Sequence, residues 1–312
     1  MNLDFSSIKD RLPSPYYLTD EGAAYLGNSL DLMSVLPSRC LDLIVTSPPF
    51  ALRRKKEYGN VEASEYVSWF KPFAAEMHRL LKDSGSLVIH IGGSWNKGIP
   101  TKSLYHYELI LELCKEFYLA QELFWFNPAK LPSPAEWVTV RRIRVKDAMD
   151  YVWWLSKSPF PKADNRNVLQ KYSESMEQLL KKGYKPSRRP SGHEISSNFQ
   201  RDNNGAIPPN VFTVANTDSN GHYLRACRNA GIKPHPARYP IELPDFFLKF
   251  LTDPQDIILD PFSGSNVTGE SAERLGRKWL AFEISEEYLE GSKYRFEKIQ
   301  KELIREEPEG YG

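Results

Sequence analysis

The sequence predicts an α/β fold with a doubly wound, mostly parallel sheet and an inserted, loop-rich domain. Short apolar runs that suit buried strands alternate with segments whose apolar residues recur at helical spacing. Between residues 256 and 283 a strand, a glycine-containing loop, a helix, a second strand and an acid follow one another. Between residues 156 and 232 this alternation stops and the chain becomes polar. We therefore expect residues 1–155 and 233–312 to pack as one domain and residues 156–232 to form another.

The composition predicts a globular protein of the reducing cytoplasm. The chain has 312 residues, of which 41% are hydrophobic and 12% aromatic, enough for one large core or two domains. Because the formal net charge is +1, a nucleic-acid surface requires local clustering of basic residues. Cys40, Cys114 and Cys227 are scattered and odd in number, which excludes a complete disulfide framework and offers no zinc spacing. We find no signal peptide and no apolar run of about 20 residues, so we expect no membrane contact.

The N-terminal half alternates between strands and helices. Residues 1–22 predict an irregular arm, and a short strand then ends before Asn28 or Ser29, either of which can cap a helix over residues 30–36. Trp125 and Phe126, which end a later strand, are either core residues or a wall of a pocket. The remaining patterns predict strands over residues 41–45, 86–91, 121–126 and 147–155, and helices over residues 65–81 and 107–117.

The first of these later strands ends in the turn Thr46-Ser47-Pro48-Pro49-Phe50. Neither proline can donate to a strand ladder, and each holds the residue before it in an extended geometry. Ser47 is therefore expected in a stiff turn at the carboxyl end of a strand, which is the edge of an α/β sheet where ligands bind. Its hydroxyl, the carbonyls of Ser47 and Pro48 and the face of Phe50 suit a flat ring that bears an amino group. The alternative is a turn that only ends the strand, or a proline-rich ligand segment.

A basic run follows the turn and contains Arg53, Arg54, Lys55 and Lys56. In isolation such a run favours a solvated loop, but beside this turn it also suits contacts to nucleic-acid phosphates. His90 lies at the carboxyl end of the next predicted strand. A lone histidine there favours a structural role unless the neighbouring turn is catalytic.

The polar segment over residues 156–232 is rich in Lys, Arg, Asn, Ser and Pro, and it includes Arg188, Arg189 and His193. It is either disordered or a loop-rich module with its own partner. Asn, Ser, His and Arg side chains suit the recognition of base edges in a DNA groove. This favours the module.

Regular patterning resumes at residue 235 and predicts helices over residues 243–251, 267–275 and 286–304, and strands over residues 256–260 and 277–283. Gly264 lets the loop backbone approach a ligand. Glu283, about 20 residues further on, ends a strand where an acid binds ribose hydroxyls. The loop lacks the GxGxxG pattern of dinucleotide sites. S-adenosyl-L-methionine therefore fits better than NAD, and Asp260 could bond its ammonium group directly or through water.

The motifs TSPPF at residues 46–50 and DPFSGSNVTG at residues 260–269 together resemble the β class of amino-group DNA methyltransferases. In that class the catalytic turn precedes the cofactor loop, and the target-recognition region lies between them, as in this chain. The resemblance runs nearly end to end through WFNPAKLPSPAEWV, RPSGHEI and HPARYP. It implies a circularly permuted sheet of the S-adenosylmethionine-dependent methyltransferase type, with residues 156–232 as the target-recognition domain.

The resemblance also implies site residues. The target base would be held by Ser47, Pro48, Pro49 and Phe50, with His90 beside them. The cofactor would be held by Asp260, Phe262, Gly264, Ser265, Asn266 and Glu283, with His235 and Arg238 at its methionine end and Asn28 and Ser29 at its adenine side. DNA would be contacted by Arg53, Arg54, Lys55, Lys56, Arg188, Arg189 and His193. Related enzymes have Asp where this chain has Asn28 and His90, so a carboxylate's role is not implied at either position.

The predicted activity is methylation of N4 of cytosine in double-stranded DNA by base flipping, with no metal and no covalent cysteine. The resemblance implies the modification enzyme of a type II restriction-modification system, with CAGCTG as its site. A cognate restriction endonuclease would be a functional partner rather than a bound one, and the oligomeric state stays open. The alternatives are methylation of N6 of adenine, of RNA or of a protein amide, or a non-catalytic DNA-binding protein. The domain order disfavours RNA and protein substrates, and the presence of Ser47 and Glu283 disfavours a non-catalytic protein.

Overall fold

The computed structural model describes residues 4–51, 61–183, 201–217 and 220–297. Its strands form one sheet and are β1 (Tyr17–Leu18), β2 (Gly22–Leu26), β3 (Leu41–Thr46), β4 (Leu81–Ile91), β5 (Tyr118–Phe126), β6 (Met149–Ser156), β7 (Val211–Thr213), β8 (Ile257–Asp260) and β9 (Lys278–Glu283). Their order is β1-β2-β9-β8-β3-β4-β6-β5-β7. The five strands from β2 to β4 in this order are parallel, whereas β6 pairs antiparallel with β4 and β5. The mostly parallel sheet predicted from the sequence is confirmed.

The described α-helices are α1 (Phe5–Lys9), α2 (Ser29–Ser34), α3 (Tyr66–Leu80), α4 (Tyr105–Leu113), α5 (Glu174–Lys182), α6 (Gly221–Asn229), α7 (Glu242–Leu251), α8 (Val267–Arg274) and α9 (Glu286–Ser292). Those that pack on the sheet cover both of its faces. One core cluster contains buried residues of α2, α3 and α4, and the other contains buried residues of α7, α8 and α9. Neighbouring residues of β3 alternate between them, since Ile44 belongs to the first cluster and Val45 to the second. The fold is therefore doubly wound.

The helical connections that follow β8 and β3 lead toward opposite edges of the sheet. The chain leaves β8 through α8 to β9 on one side, and it leaves β3 through α3 to β4 on the other. The two strands pair directly, with Leu43 opposite Ile258 and Ile44 opposite Leu259. Such a reversal of strand order opens a crevice at the carboxyl ends of the strands, where ligands of open α/β sheets bind.

Two terminal segments differ from their predictions. The arm expected over residues 1–22 contains α1, which Asp4 caps by accepting a hydrogen bond from the Ser7 N–H, and also β1. The helix expected over residues 286–304 is interrupted in its described part, because the α-helix ends at Ser292 and a 3₁₀ turn follows at Lys293–Arg295. This turn directs Arg295 into the protein, where its side chain is 2% exposed. Residues 298–304 of that expected helix lie outside the described residues. Among the helices described, none combines the length and hydropathy that a membrane span requires.

The chain divides into two compact units, of which one comprises Met1–Ala163 with Asn210–Gly312 and the other Asp164–Pro209. The smaller unit contains a 3₁₀ turn at Asn165–Val168, helix α5 and a bridge between Gln170 and Ala206. Residues 156–163 and 210–232, which we expected in the separate domain, instead belong to the larger unit, and the second of these segments contributes β7 and α6. β7 is a three-residue strand added beside β5, too short to give a clear periodic signal. The recognition role of the smaller unit stays a prediction.

Candidate active site

A cavity of about 690 Å³ lies at the carboxyl ends of β3 and β8. The turn after β3 and the loop after β8 both line it, although more than 200 residues separate them in the chain. The expected site residues that line it are Asn28, Ser29, Ser47, Pro48, Pro49, Phe50, His90, His235, Arg238, Phe262, Gly264, Ser265 and Glu283. Its volume is typical of a site for a small-molecule ligand.

The turn after β3 is held by contacts from α3 and β4. The hydroxyl of Tyr66 donates a hydrogen bond of 2.8 Å to the carbonyl of Pro49. The ring of Phe50 lies against Gly92, where an added Cβ would come within 2.6 Å of a ring carbon. Glycine is therefore required there to keep Phe50 in place. Ser47 Oγ lies 3.0 Å from Nδ1 of His90, so the turn presents both a hydroxyl and an aromatic ring to the cavity.

His90 brings a carboxylate to the site that we did not predict. Its Nε2 lies 3.8 Å from Oδ2 of Asp150, whose other oxygen accepts a hydrogen bond of 2.8 Å from Nζ of Lys130. Asp150 and Lys130 both line the cavity. The available sequence signal was an acid near the start of an otherwise apolar strand. Recognising it required the antiparallel pairing that places Asp150 beside the end of β4. Trp125 is 4% exposed and also lines the cavity, so it serves both as core and as wall.

The loop after β8 has a backbone that few residue types tolerate. Gly264 has a φ of +51°, and an added Cβ would lie 3.0 Å from the ring of His235. Asn266 adopts a left-handed conformation, with φ 56° and ψ 46°, and its side chain caps α8 by accepting from the Gly269 N–H at 3.0 Å. The glycine therefore allows the close approach that the sequence predicts, and Asn266 turns the chain into the helix.

Glu283 ends β9 and faces the cavity from beside this loop. Its Oε2 accepts from the Gly264 N–H at 2.8 Å, and its Oε1 accepts from the Ser285 N–H at 2.9 Å. Burial raises the pKa of the Glu283 carboxyl above its ordinary value. Each carboxylate oxygen can accept a second hydrogen bond, so the pair can receive two adjacent hydroxyls. Ser263 Oγ, which is buried and has no hydrogen-bond partner among the described residues, adds a further polar group to this part of the cavity.

Asp260 does not line the cavity, contrary to the expected contact with a ligand. Its Oδ1 accepts from Thr46 Oγ1 at 2.8 Å and from the Phe262 N–H at 3.1 Å. Its Oδ2 accepts from Thr268 Oγ1 at 2.8 Å and from the Tyr239 hydroxyl at 3.3 Å. These four bonds use the acceptor positions of a carboxylate, and burial raises the pKa of Asp260 to about 6. Asp260 therefore supports the loop from below and leaves no acceptor for a direct bond to an ammonium group.

Asn266 is likewise fully buried and absent from the cavity wall. The neighbouring Ser265 is held by Arg295, whose Nη2 donates to Ser265 Oγ at 3.0 Å. Arg295 also bonds Glu270 at 2.8 Å and lies 4.4 Å from the ring centroid of Tyr223. We did not predict Arg295 as a support of the loop, because it lies in a region that the sequence pattern predicts as an exposed, charged helix.

A family model described as DNA methylase matches residues 41–294. This chain belongs to the DNA methylase family. It is 48% identical over 304 residues to the type II methyltransferase M.PvuII of Proteus hauseri, an alignment that spans 95% of this chain and 90% of the relative. A solved PvuII DNA methyltransferase, described as cytosine-N4-specific, superposes with a TM-score of 0.74 at 43% identity over 93% of this chain and 94% of the other. A Thermus thermophilus protein solved with S-adenosyl-L-methionine has a TM-score of 0.55 at 19% identity over 88% and 93% of the chains, which shows a shared fold.

Of the remaining predicted residues of this DNA methylase, His235 and Arg238 are described and the basic residues expected at DNA are not. His235 Nδ1 lies 2.5 Å from the carbonyl of Ala237, and Arg238 Nη1 donates to the carbonyl of His235. Outside the described residues lie the predicted DNA contacts Arg53, Arg54, Lys55, Lys56, Arg188, Arg189 and His193. Their contact with DNA stays a prediction. In the part of the chain that the structure describes, no group of three or more His, Cys, Asp or Glu side chains could hold a metal ion.

Proposed function

We propose that this DNA methylase transfers a methyl group from S-adenosyl-L-methionine to N4 of cytosine at a specific site in double-stranded DNA. The observation that carries this proposal is the shared cavity, because it places a base-binding turn and a nucleoside-binding loop within one ligand site. The 48% identity to M.PvuII over most of both chains supports the same reaction.

The cofactor fits the loop after β8 and the end of β9. Glu283 offers two carboxylate oxygens suited to the ribose hydroxyls, and the glycine at 264 allows the loop to pass close to them. Phe262 and Ser29 line the adjoining wall, and His235 with Arg238 lines the part we assign to the methionine end. Asp260 and Asn266 act by shaping the loop. When bound, the cofactor supplies an electrophilic methyl group on a sulfonium.

The target base would occupy the part of the cavity beside Ser47 and Phe50. A cytosine amine is inaccessible within a duplex, so the base must leave the stack to reach this pocket. Phe50 offers its ring for stacking, and Ser47 Oγ can accept a proton of the amine while its own proton is directed to His90. Holding the amine in this way orients its lone pair, and such positioning is the main catalytic contribution that a methyl transfer of this kind needs.

The choice of cytosine over adenine also follows from Ser47. Cytosine presents its N4 amine beside N3, which is an acceptor. The neutral Ser47 hydroxyl, whose proton is directed to His90, does not repel the N3 lone pair, whereas a carboxylate in its place would. Adenine has a similar edge at N1 and N6, so this feature favours cytosine without excluding adenine. The cytosine-N4 specificity in the description of the 43% identical structure supports the same choice.

We further propose that the enzyme protects host DNA in the cytoplasm as the modification half of a type II system. Its site would be CAGCTG, and a cognate endonuclease would recognise the same sequence without binding the enzyme. Residues 164–209, with Arg188, Arg189 and His193, would select the site, and the basic run over residues 53–56 would contact phosphates near the flipped base.

Expression of the protein in a bacterium that lacks DNA methylation tests the proposal. Mass spectrometry of nucleosides from the recovered plasmid should detect N4-methylcytosine, and a Ser47→Ala variant should give little of it. The same plasmid should resist an endonuclease that cleaves CAGCTG. N6-methyladenine as the sole product would replace the proposed base with adenine, whereas N4-methylcytosine with full cleavage at CAGCTG would disprove only the site.

A further inference from the structure

His90 lies between the serine of the catalytic turn and a buried carboxylate. Its Nδ1 lies 3.0 Å from Ser47 Oγ, and its Nε2 lies 3.8 Å from Oδ2 of Asp150. The latter distance is longer than a hydrogen bond, and within the described ranges Nε2 is buried without a hydrogen-bond partner. Asp150 is therefore the acid toward which this nitrogen is directed.

The surroundings of His90 favour one tautomer. Asp150 is 9% exposed. Burial raises the pKa of the Asp150 carboxyl, but its interactions with the nearby His90 and with the charged, hydrogen-bonded Lys130 outweigh that effect, so the pKa is lowered overall. An ionised carboxylate beside Nε2 favours a proton on that nitrogen. Nδ1 then keeps its lone pair and can accept the Ser47 hydroxyl proton.

The other groups packed against the ring are aromatic. The rings of Phe50, Trp125 and Tyr239 have centroids 5.4, 5.2 and 6.0 Å from that of His90. The Tyr239 hydroxyl is directed to Asp260 and Thr268 instead. Among the described residues, the charged side chain within ion-pair distance of the imidazole is Asp150, which in turn pairs with Lys130.

Resting on the proposed function, we propose that His90 accepts the proton released from N4 through Ser47, and that Asp150 positions His90 for this role. Amine methylation replaces one N–H bond by an N–C bond, so one proton must leave N4. The N4 lone pair forms the N–C bond as the methyl–sulfur bond of the donor breaks with its electron pair going to sulfur. The N–H bond then breaks with its electron pair remaining on nitrogen, and the proton passes to Ser47 Oγ as the serine proton passes to His90 Nδ1. Serine is thus restored, His90 becomes a cation beside Asp150, and the proton then passes to solvent.

Lys130 keeps Asp150 from being an uncompensated buried charge. Its Nζ bonds Oδ1 at 2.8 Å, and Oδ2 remains for His90. Because the carboxylate already has a cationic partner, it stabilises the charged imidazole without taking the proton itself. This arrangement resembles a Ser-His-Asp triad, in which a carboxylate orients a histidine that takes the serine proton. Here the serine would receive a proton from the amine instead of attacking an acyl group.

Single-turnover methylation by the full-length enzyme on duplex DNA, measured across a range of pH, tests this assignment. His90→Asn retains an acceptor near the position of Nδ1 but cannot take a proton, so we expect a rate loss of about 10²-fold or more. Cofactor affinity should change less than twofold, and the fall in rate at low pH should disappear. His90→Asp supplies a carboxylate that can take a proton, so it should be faster than His90→Asn. Its fall in rate at low pH should occur at lower pH than in the wild type.

The contribution of Asp150 is separated by a double-mutant cycle. Asp150→Asn should slow the wild-type reaction and move its acid limb to lower pH, because the imidazolium loses a stabilising charge. In the His90→Asn background the same change should have little further effect, since Asp150 acts through His90. His78→Asn serves as a control, because His78 is a partly buried histidine of α3 that does not line the cavity.

A wild-type rate and acid limb in His90→Asn would overturn the assignment, and additive losses in the cycle would overturn the role of Asp150. In either case N4-methylcytosine produced by the wild-type enzyme would leave the proposed function intact. If His90→Asn does not fold, as judged by circular dichroism, the pH profiles of His90→Asp and Asp150→Asn test the assignment instead. An acid limb at the wild-type pH in both variants would overturn it. A wild-type enzyme that methylates adenine alone would instead refute the reaction on which the proposal rests.

Discussion

Thr46 Oγ1 donates a hydrogen bond of 2.8 Å to Oδ1 of Asp260, and the two residues are 214 positions apart in the chain. Thr46 is the last residue of β3, and Asp260 is the last residue of β8. Both are buried, at 1% and 2% exposure. The bond therefore fixes the turn after β3 against the loop after β8 at the point where the two motifs begin.

Asp260 makes protein stability dependent on pH. Burial raises its pKa from 3.8 to about 6 in the folded protein, so between these values the folded chain holds a proton that the unfolded chain has released. This contribution is fully present below about pH 4 and is lost as the pH rises through about 6. Relative to D260N, the free energy of unfolding of the wild type should fall by about 2 kcal/mol between pH 4 and pH 7. Urea unfolding at each pH measures it, and a constant difference between the two proteins would contradict it.

Glu283→Ala should weaken binding of S-adenosyl-L-methionine by about 1.5–3 kcal/mol, the range for hydrogen bonds to a charged group. The expected cause is loss of the acceptors for the ribose hydroxyls at the end of β9. Isothermal titration calorimetry gives the affinity directly. Glu287→Ala is the control, because Glu287 is an exposed acid in the first turn of α9 and does not line the cavity. Equal affinity in the two variants would remove Glu283 from the cofactor site.

Ser47→Ala should lose most of the methylation rate while the cofactor still binds. The variant lacks the hydroxyl that lies 3.0 Å from His90 Nδ1 and that we propose contacts the amine. A loss of about 1.5–3 kcal/mol from the transition state corresponds to roughly 10-fold to 100-fold in rate. A single-turnover assay with tritiated cofactor measures the rate, and Ser34→Ala, an exposed serine at the end of α2, serves as the control. Retention of the full rate would mean that Ser47 is not in contact with the amine.

Neutralising Arg53, Arg54, Lys55 and Lys56 by substitution with Gln should weaken binding to every DNA sequence to a similar extent. Phosphate contacts carry no sequence information, and each one lost reduces the dependence of log K on log salt by about 0.9. Fluorescence anisotropy with labelled duplexes at several salt concentrations measures both effects. A changed sequence preference with an unchanged salt slope would indicate that these residues contact bases.

The local parts of the fold and site were predictable because their signals lie within short stretches of sequence. The paired prolines after β3 and the glycine after β8 identified the two loops, and α/β alternation indicated that both loops lie at the carboxyl edge of the sheet. The direction of a side chain is a different matter. Asp260 immediately precedes the loop after β8, but its side chain bonds Thr46, Thr268 and Tyr239 instead of lining the cavity.

Contacts between distant strands could not be predicted in the same way. Asp150 meets His90 because β6 runs antiparallel to β4, and no local pattern shows this pairing. Arg295 reaches Ser265 from the 3₁₀ turn Lys293–Arg295, of which it is the last residue. Such residues become visible as site components only when the strand order and the packing of the terminal helix are known.

The order of the sheet has a consequence for newly made protein. β8 and β9 lie between β2 and β3, although β2 and β3 are neighbours in sequence. On the ribosome, Leu43 can pair with Ser86 early, but Ile258 on its other side comes much later, after roughly ten seconds or more of synthesis. Until β8 and β9 are made, β2 and β3 each have one strand edge without its partner, and unpaired strand edges promote aggregation. Yield in the cell should therefore depend on chaperones that shield nascent chains, and methylation capacity should lag behind translation.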